Sequence, residues 1–272
     1  MNRLLRERLA IVTAKPQTTR RNTLGILNGP GYQAVLLDTP GLMEPHYALH
    51  RVMLDGARAA LLDADVVLFM AEPRTPVEIL AQVRDRAEKM VLALNKADTC
   101  RHKEELLPAL QGWFDTGCFR EVIPISALVG TGVDKLLRVL IDLLPEGPAF
   151  YPPDQLTDQP ERFFVGEIVR ECLFELYQRE VPYASEVSVQ AFTEHPGGKD
   201  FIEIWIHVEQ ESQKAILIGK GGTAMRALGT EARERIEAFL GRPVYLELRV
   251  RVLPKWRRRE AALRKLGYTR TK

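Results

Sequence analysis

Along the first half of the chain, apolar residues come in short unbroken runs: Ala34–Leu37, Val66–Met70, Met90–Leu94 and Val122–Ile125. Strands buried on both faces read this way, because neither side of the pleat meets water. Between the runs lie segments with apolar residues at helical spacing, such as Val77, Leu80 and Val83, then Leu106, Leu107 and Leu110. Alternation of such strands and helices predicts an α/β fold, with a parallel sheet and right-handed crossovers.

The period changes in the second half. Phe163–Gln178 predicts a helix with Phe164, Ile168, Leu173 and Leu176 near one face. Two alternating segments follow, Val187-Val189-Ala191 and Ile202-Ile204-Ile206-Val208, as expected of half-exposed antiparallel strands joined through His195–Gly198. After a short helix comes Gly219-Lys220-Gly221-Gly222. Next is a helix with Met225, Leu228, Ala232, Ile236 and Phe239 on one side, ending at Gly241 and Pro243. A last strand alternates from Val244 to Val252. Residues 145–160 carry Pro145, Gly147, Pro148, Pro152, Pro153 and Pro160, a connector composition. The expected organisation is therefore a first domain over 1–144, a linker over 145–160 and a second, α+β domain over 161–272.

Composition narrows the setting. The hydrophobic fraction of 46% and charged fraction of 27% are ordinary for a globular protein. No apolar run approaches the roughly 20 residues that span a bilayer, and Arg3, Arg6 and Arg8 interrupt the N-terminus where a secretory signal would be apolar. Cys100, Cys118 and Cys172 are an odd, widely spaced set, which argues against a disulfide framework or a four-ligand zinc site. These features point to the cytoplasm. The net charge is only +2, but from Lys255 onward eight Lys or Arg face one acid, Glu260. Such a tail suits a phosphate backbone or an anionic surface, and it permits peripheral membrane contact. Within it, Trp256 has two readings: a stacking partner for a base, or a buried anchor for the terminal helix. His46 and His50 stand four apart with no third ligand near, and read as surface histidines.

The chemistry lies where the predicted strands end. Asp38-Thr39-Pro40-Gly41 follows the first run, Asn95-Lys96-Ala97-Asp98 the third and Ser126-Ala127-Leu128 the fourth. In an open parallel sheet, ligands bind outside the carboxyl ends of the strands. Asp38 can hold a magnesium ion through water beside the terminal phosphates of a nucleotide. Gly41 lets its amide approach a third phosphate. Asp98 can accept hydrogen bonds from N1–H and the exocyclic amine of guanine, whereas adenine presents an acceptor at N1. Asn95 can tether neighbouring loops, the stem of Lys96 can cover the base, and the Ala127 amide can meet the guanine oxygen.

These motifs resemble the translation-factor-like GTPases and, within them, the Era family. The resemblance implies a first switch in Pro16–Arg21, with Gln17, Thr18, Thr19, Arg20 and Arg21. Thr18 or Thr19 would sense the third phosphate, and Thr19 would join Asp38 at the nucleotide's Mg2+. Leu42 stands where many GTPases carry a water-orienting glutamine, which implies slow hydrolysis and leaves no catalytic residue assignable. In the second half, helix–strand–strand–helix–Gly-x-x-Gly–helix–strand resembles a type II KH domain. Gly219, Lys220, Gly221 and Gly222 would press against a single-stranded RNA backbone. The implied cofactors are GTP/GDP and Mg2+. The implied partners are the 3′ end of small-subunit rRNA and the 30S particle, bound by a monomer.

One departure is large. The phosphate cradle Gly-x-x-x-x-Gly-Lys-Ser/Thr does not occur in the 272 residues. In the family it precedes a helix resembling Asn2–Leu9, so the expectation is a start upstream of Met1, because a sheet without its first strand has unpaired edges. The rival reading is a nucleotide-independent RNA-binding assembly protein whose first domain is a relic.

Overall fold

A computed structural model describes residues 1–13, 15–83, 89–100 and 103–268. The chain divides into two compact units that interleave along the sequence. One comprises Met1–Leu9, Leu24–Asp38 and Ala57–Thr157; the other comprises Ala10–Thr23, Thr39–Gly56 and Asp158–Lys272.

The first unit contains two sheets. β3 (Val67–Ala71), β4 (Met90–Leu94) and β5 (Glu121–Pro124) run parallel in that order. All five residues of β4 are fully buried, as a central strand covered on both faces requires. Among the covering helices, α3 (Lys103–Phe114) buries Trp113 against Phe69 and Phe119. On the other side α4 (Val133–Asp142) packs Leu136 and Leu140 on Val91, Ala93 and Ile123. The segment Val77–Gln82 is a 3₁₀ turn rather than an α-helix. The second sheet pairs β1 (Thr23–Gly29) with β2 (Tyr32–Asp38). β2 was expected to be buried on both faces. Within the run Ala34–Leu37 only Ala34 is buried, while Val35 and Leu37 are about two-fifths exposed, because among the described residues β2 has a partner strand on one edge only. A short helix, α1 (Asn2–Leu5), places Leu5 against Gly25 of β1.

The second unit is built on a three-stranded sheet. β6 (Glu186–Thr193) is antiparallel to β7 (Asp200–Val208), and β7 is parallel to β8 (Val244–Val252). On one face lie α5 (Glu161–Leu176), α7 (Glu211–Ile218) and α8 (Thr223–Leu240). The alternating apolar residues expected from the sequence make the core. Ile202, Ile204, Ile206 and Val208 meet Val165, Val169, Leu173, Leu228 and Ile236. Leu176, expected on the apolar face of α5, is 46% exposed; the helix instead buries Cys172, whose thiol burial pushes up to about 12.

A second cluster in this unit joins α2 (Ala48–Asp63) to the C-terminal end. Leu49 and Met53 pack with Trp256 and with Leu263 of α9 (Glu260–Lys265). Trp256 is fully buried and its indole N–H donates to the Ala184 carbonyl of the short helix α6 (Val181–Ala184) at 2.8 Å. It is the anchor, not a stacking platform. His50 is buried as well, with its Nδ1 accepting the His46 amide, so the reading of two surface histidines holds for His46 alone. No helix among the described residues is long and apolar enough to cross a membrane. The last four residues of the basic tail, including Arg270 and Lys272, lie outside the described residues.

Candidate functional site

In the first unit, β4 and β5 end side by side because they pair in register, Leu94 opposite Pro124. The loops that follow are therefore neighbours. Asn95 donates its amide hydrogen to the Ala71 carbonyl at 2.7 Å, and its Oδ1 accepts from the Ala127 amide at 2.9 Å. A further bond runs from the Ala97 amide to the Ile125 carbonyl at 3.0 Å. One side chain thus fastens the loop bearing Lys96 and Asp98 to the loop bearing Ser126, Ala127 and Leu128.

The second loop is rigid for its own reasons. Ser126 is buried; its Oγ accepts from the Val129 amide and its carbonyl from Gly130. Gly132 has φ of 76°, and a Cβ there would fall 2.4 Å from the Pro124 carbonyl, so only glycine closes this turn. Leu128 and Val129 remain exposed on its crest.

Lys96 adopts a left-handed backbone, φ 62°, at the start of the 3₁₀ turn Ala97–Thr99. Its ammonium pairs with Glu72, which follows β3, at 2.5 Å. Both side chains are half exposed, so the pair orients Lys96 more than it stabilises the fold. Glu72 carries no motif signature, and the sequence reading missed it. Asp98 presents an exposed carboxylate at the same strand ends. The Asp98 carboxylate offers two acceptors, while the Ala127 N–H is already given to Asn95. Asp38 closes β2 in the same unit.

Thr39, Pro40, Gly41 and Leu42 belong to the second unit, as do Gln17, Thr18, Thr19, Arg20 and Arg21. Gly41 is exposed, with nothing within 4 Å of where a Cβ would stand. Residues 15–21 are held to the second unit by cations. Arg20 is 5% exposed, and its guanidinium donates to Glu186 at 2.6 Å and to the carbonyls of Ser185 (2.6 Å) and Tyr183 (2.8 Å). Arg21 reaches the Leu266 carbonyl and lies 4.4 Å from the Tyr268 ring. Tyr268 is buried, which raises its phenol pKa and keeps it neutral beside these charges. Arg170 of α5 donates to the Thr18 carbonyl, and Lys15 to the carbonyls of Phe174 and Tyr177. Arg170 and Glu186 were not singled out from the sequence, since such residues normally stay at the surface.

The Gly219–Gly222 loop joins α7 to α8. Gly219, Gly221 and Gly222 all have positive φ, between 61° and 76°. A Cβ on Gly219 would meet the Ala224 Cβ at 2.7 Å. Lys220 is exposed at the tip, and the Thr223 hydroxyl closes the turn onto its carbonyl at 3.0 Å. The tight glycine turn lets a phosphodiester backbone come close, with a cation beside it. Among the described residues no group of three or more His, Cys, Asp or Glu could hold a metal ion.

Comparison with known proteins agrees with this geometry. Residues 1–96 match a family described as 50S ribosome-binding GTPase, and residues 180–257 match the KH domain family. The chain is 42% identical over 273 residues to the GTPase Era of Geotalea daltonii, covering 98% of this chain and 92% of that protein. It is 41% identical to the chloroplastic GTPase ERA1 of Zea mays, covering 98% of this chain and 66% of the relative. Among solved structures it is similar to a single-residue variant of Aquifex aeolicus Era bound to GDP·AlF4− (TM-score 0.93, 36% identity, 98% of this chain and 93% of that one). It is also similar to an Era in complex with MgGDPNP and nucleotides 1506–1542 of 16S ribosomal RNA (TM-score 0.94, 36% identity, the same coverage). The strand-end motifs, the glycine turn and similarities that span 98% of this chain agree: the chain belongs to the Era GTPase family.

Proposed function

We propose that the protein is a GTP-dependent assembly factor of the small ribosomal subunit that binds the 3′ end of small-subunit rRNA. The observation that carries this reading is the similarity, over 98% of this chain, to an Era holding both MgGDPNP and 16S rRNA nucleotides 1506–1542. It is joined to a chain that keeps Asn95, Asp98 and Ala127 at one set of strand ends and a Gly-x-x-Gly turn between two helices.

In this reading Asp98 accepts from guanine N1–H and its exocyclic amine, Asn95 holds the two loops in register, and the Ala127 amide, which already donates to Asn95, shares its hydrogen with the guanine oxygen. Asp38 would hold Mg2+ through water beside the phosphates, and Thr18, Thr19 and Gly41 keep the switch roles that the family resemblance implies. When bound, the metal neutralises phosphate charge. The Gly219–Gly222 loop, with Lys220, receives the RNA backbone. The protein works as a monomer in the cytoplasm, and the basic residues from Lys255 onward support contact with rRNA or with an anionic membrane face. The expected domain division, 1–144 and 161–272 about a linker, belongs to this reading.

The rival reading is a nucleotide-independent RNA-binding assembly protein. In that reading the protein binds RNA without nucleotide. Calorimetric titration with GDP and Mg2+, with ATP as control, separates the two. Guanine-selective binding supports the GTPase, whereas binding of RNA without any guanine nucleotide supports the relic. Replacing both Gly219 and Gly222 with Asp is expected to abolish binding to a 16S 3′-end RNA; retained affinity would overturn the KH assignment.

A further inference from the structure

The face of the β6–β7–β8 sheet turned away from the helices is not used by the reading above. Inward positions of β7 are aliphatic and fully buried. Its outward positions are Phe201, Glu203, Trp205 and His207. Those of β8 are Tyr245, Glu247, Arg249 and Arg251. Every one of these side chains ends in a flat group, and none is aliphatic.

The flat groups are arranged in two stations. Phe201 and Tyr245 are direct cross-strand partners, with ring planes 16° from parallel and centroids 6.0 Å apart. Tyr245 is 59% exposed. At the second station the Arg251 guanidinium lies 3.9 Å from the Trp205 ring centroid, and the indole N–H is turned aside to Glu203 at 2.9 Å. Phe201 and Trp205 are separated by four residues on one strand, about 13 Å, a distance that a short run of splayed nucleotides spans.

The four charges on these outward positions balance, and the carboxylates are already paired. Both carboxylates on these outward positions are taken by Arg249, at 3.2 Å for Glu203 and 2.6 Å for Glu247. Arg251 adds a second cation, held by the Trp205 ring. One exposed ring, Tyr245, beside the part-exposed Phe201 and Trp205 with a guanidinium stacked on the indole, is equipment with which proteins hold unpaired bases, whatever their sequence.

We propose that this sheet face is a second RNA-binding surface, a stacking platform for unpaired bases of the same RNA whose backbone engages the Gly219–Gly222 loop. It rests on the RNA-binding reading above and extends it to the opposite side of the sheet.

The test uses the full chain and an RNA of 16S nucleotides 1506–1542, followed by anisotropy. Trp205→Ala and Tyr245→Ala are each expected to weaken binding by roughly fivefold or more, the worth of one stacked base. Trp205→Phe should restore most of the loss. Trp113 and Trp256 are buried, so Trp205 is the one partly exposed tryptophan of three. RNA should therefore quench the intrinsic emission, and the quench should vanish in Trp205→Phe. Unchanged affinity in both alanine variants, with binding lost on replacing Gly219 and Gly222 by Asp, would overturn the platform. It would leave the RNA-binding reading intact and assign the face to a protein. Unchanged affinity in all of these, the loop variant included, would overturn both.

Discussion

The Asn95 side chain accepts a hydrogen bond from the Ala127 amide at 2.9 Å across two loops that are 32 residues apart in sequence. Neither loop alone defines a base-reading edge. The bond makes the strand ends of β4 and β5 one surface. Asn95→Ala should leave the Ala127 amide without its partner, a cost of about 1–3 kcal/mol. The expected outcome is faster hydrogen exchange at Ala127 and a guanine-nucleotide affinity lowered roughly tenfold or more. Unaltered exchange at that amide would show that the loops hold their register by other means.

Asp98→Asn tests base reading directly. A carboxylate accepts from two donors, whereas a carboxamide offers one donor and one acceptor. Affinity for GDP is expected to fall by roughly a hundredfold, the worth of a charge-assisted hydrogen bond. Xanthosine diphosphate carries an oxygen where guanine carries its amine, so it should gain relative to GDP. Equal losses for the two nucleotides would remove Asp98 from the base.

Arg20 and Glu186 are each 4% exposed at the side chain and 2.6 Å apart. Removing one partner strands a buried charge, which typically costs about 3–5 kcal/mol. Arg20→Met and Glu186→Leu should each lower the guanidinium midpoint markedly, and the double variant should cost less than the two singles combined. Simple additivity would mean that the pair is not coupled in the folded state.

Two histidines set a pH dependence. Burial lowers the pKa of His207, beside Arg251, and of His50, where His46 and Arg257 add to the effect. A depressed pKa means that the unfolded chain binds these protons more readily. Stability is thus full above about pH 6.5, the unfolded value, and falls as the pH drops through the lower folded values. Denaturant midpoints measured from about pH 7.5 to about 5 should decline, and His50→Gln with His207→Gln should flatten the decline. An equally steep fall in that double variant would place the effect elsewhere.

Much of the second unit was legible because period-two alternation in Ile202–Val208 and Val244–Val252 has one interpretation when a sheet has one dry face. The two neighbouring strand-end loops were legible because Asn95–Asp98 and Ser126–Leu128 follow buried runs. β1 was not, since Thr23–Gly29 includes two glycines and an asparagine that hide its pattern. Nor was the attachment of residues 15–21 to the second unit, which depends on Arg20, Arg170 and Glu186 being inside. Charged residues give no hint of burial in sequence, because their burial depends on partners that can be far along the chain. Trp205 was readable in principle: it is a large aromatic on the polar phase of an alternating strand.

The separation between Arg20 and its carboxylate partner also has a temporal side. On the ribosome, Arg20 emerges 166 residues before Glu186. At about 5–20 residues per second, that is a wait of roughly ten to thirty seconds. During synthesis the Thr18–Arg21 segment therefore exists without its anchor. Until the later helices arrive, a nascent chain of this protein carries an unmatched cationic stretch open to chaperones, to proteases, or to the RNA of the ribosome making it.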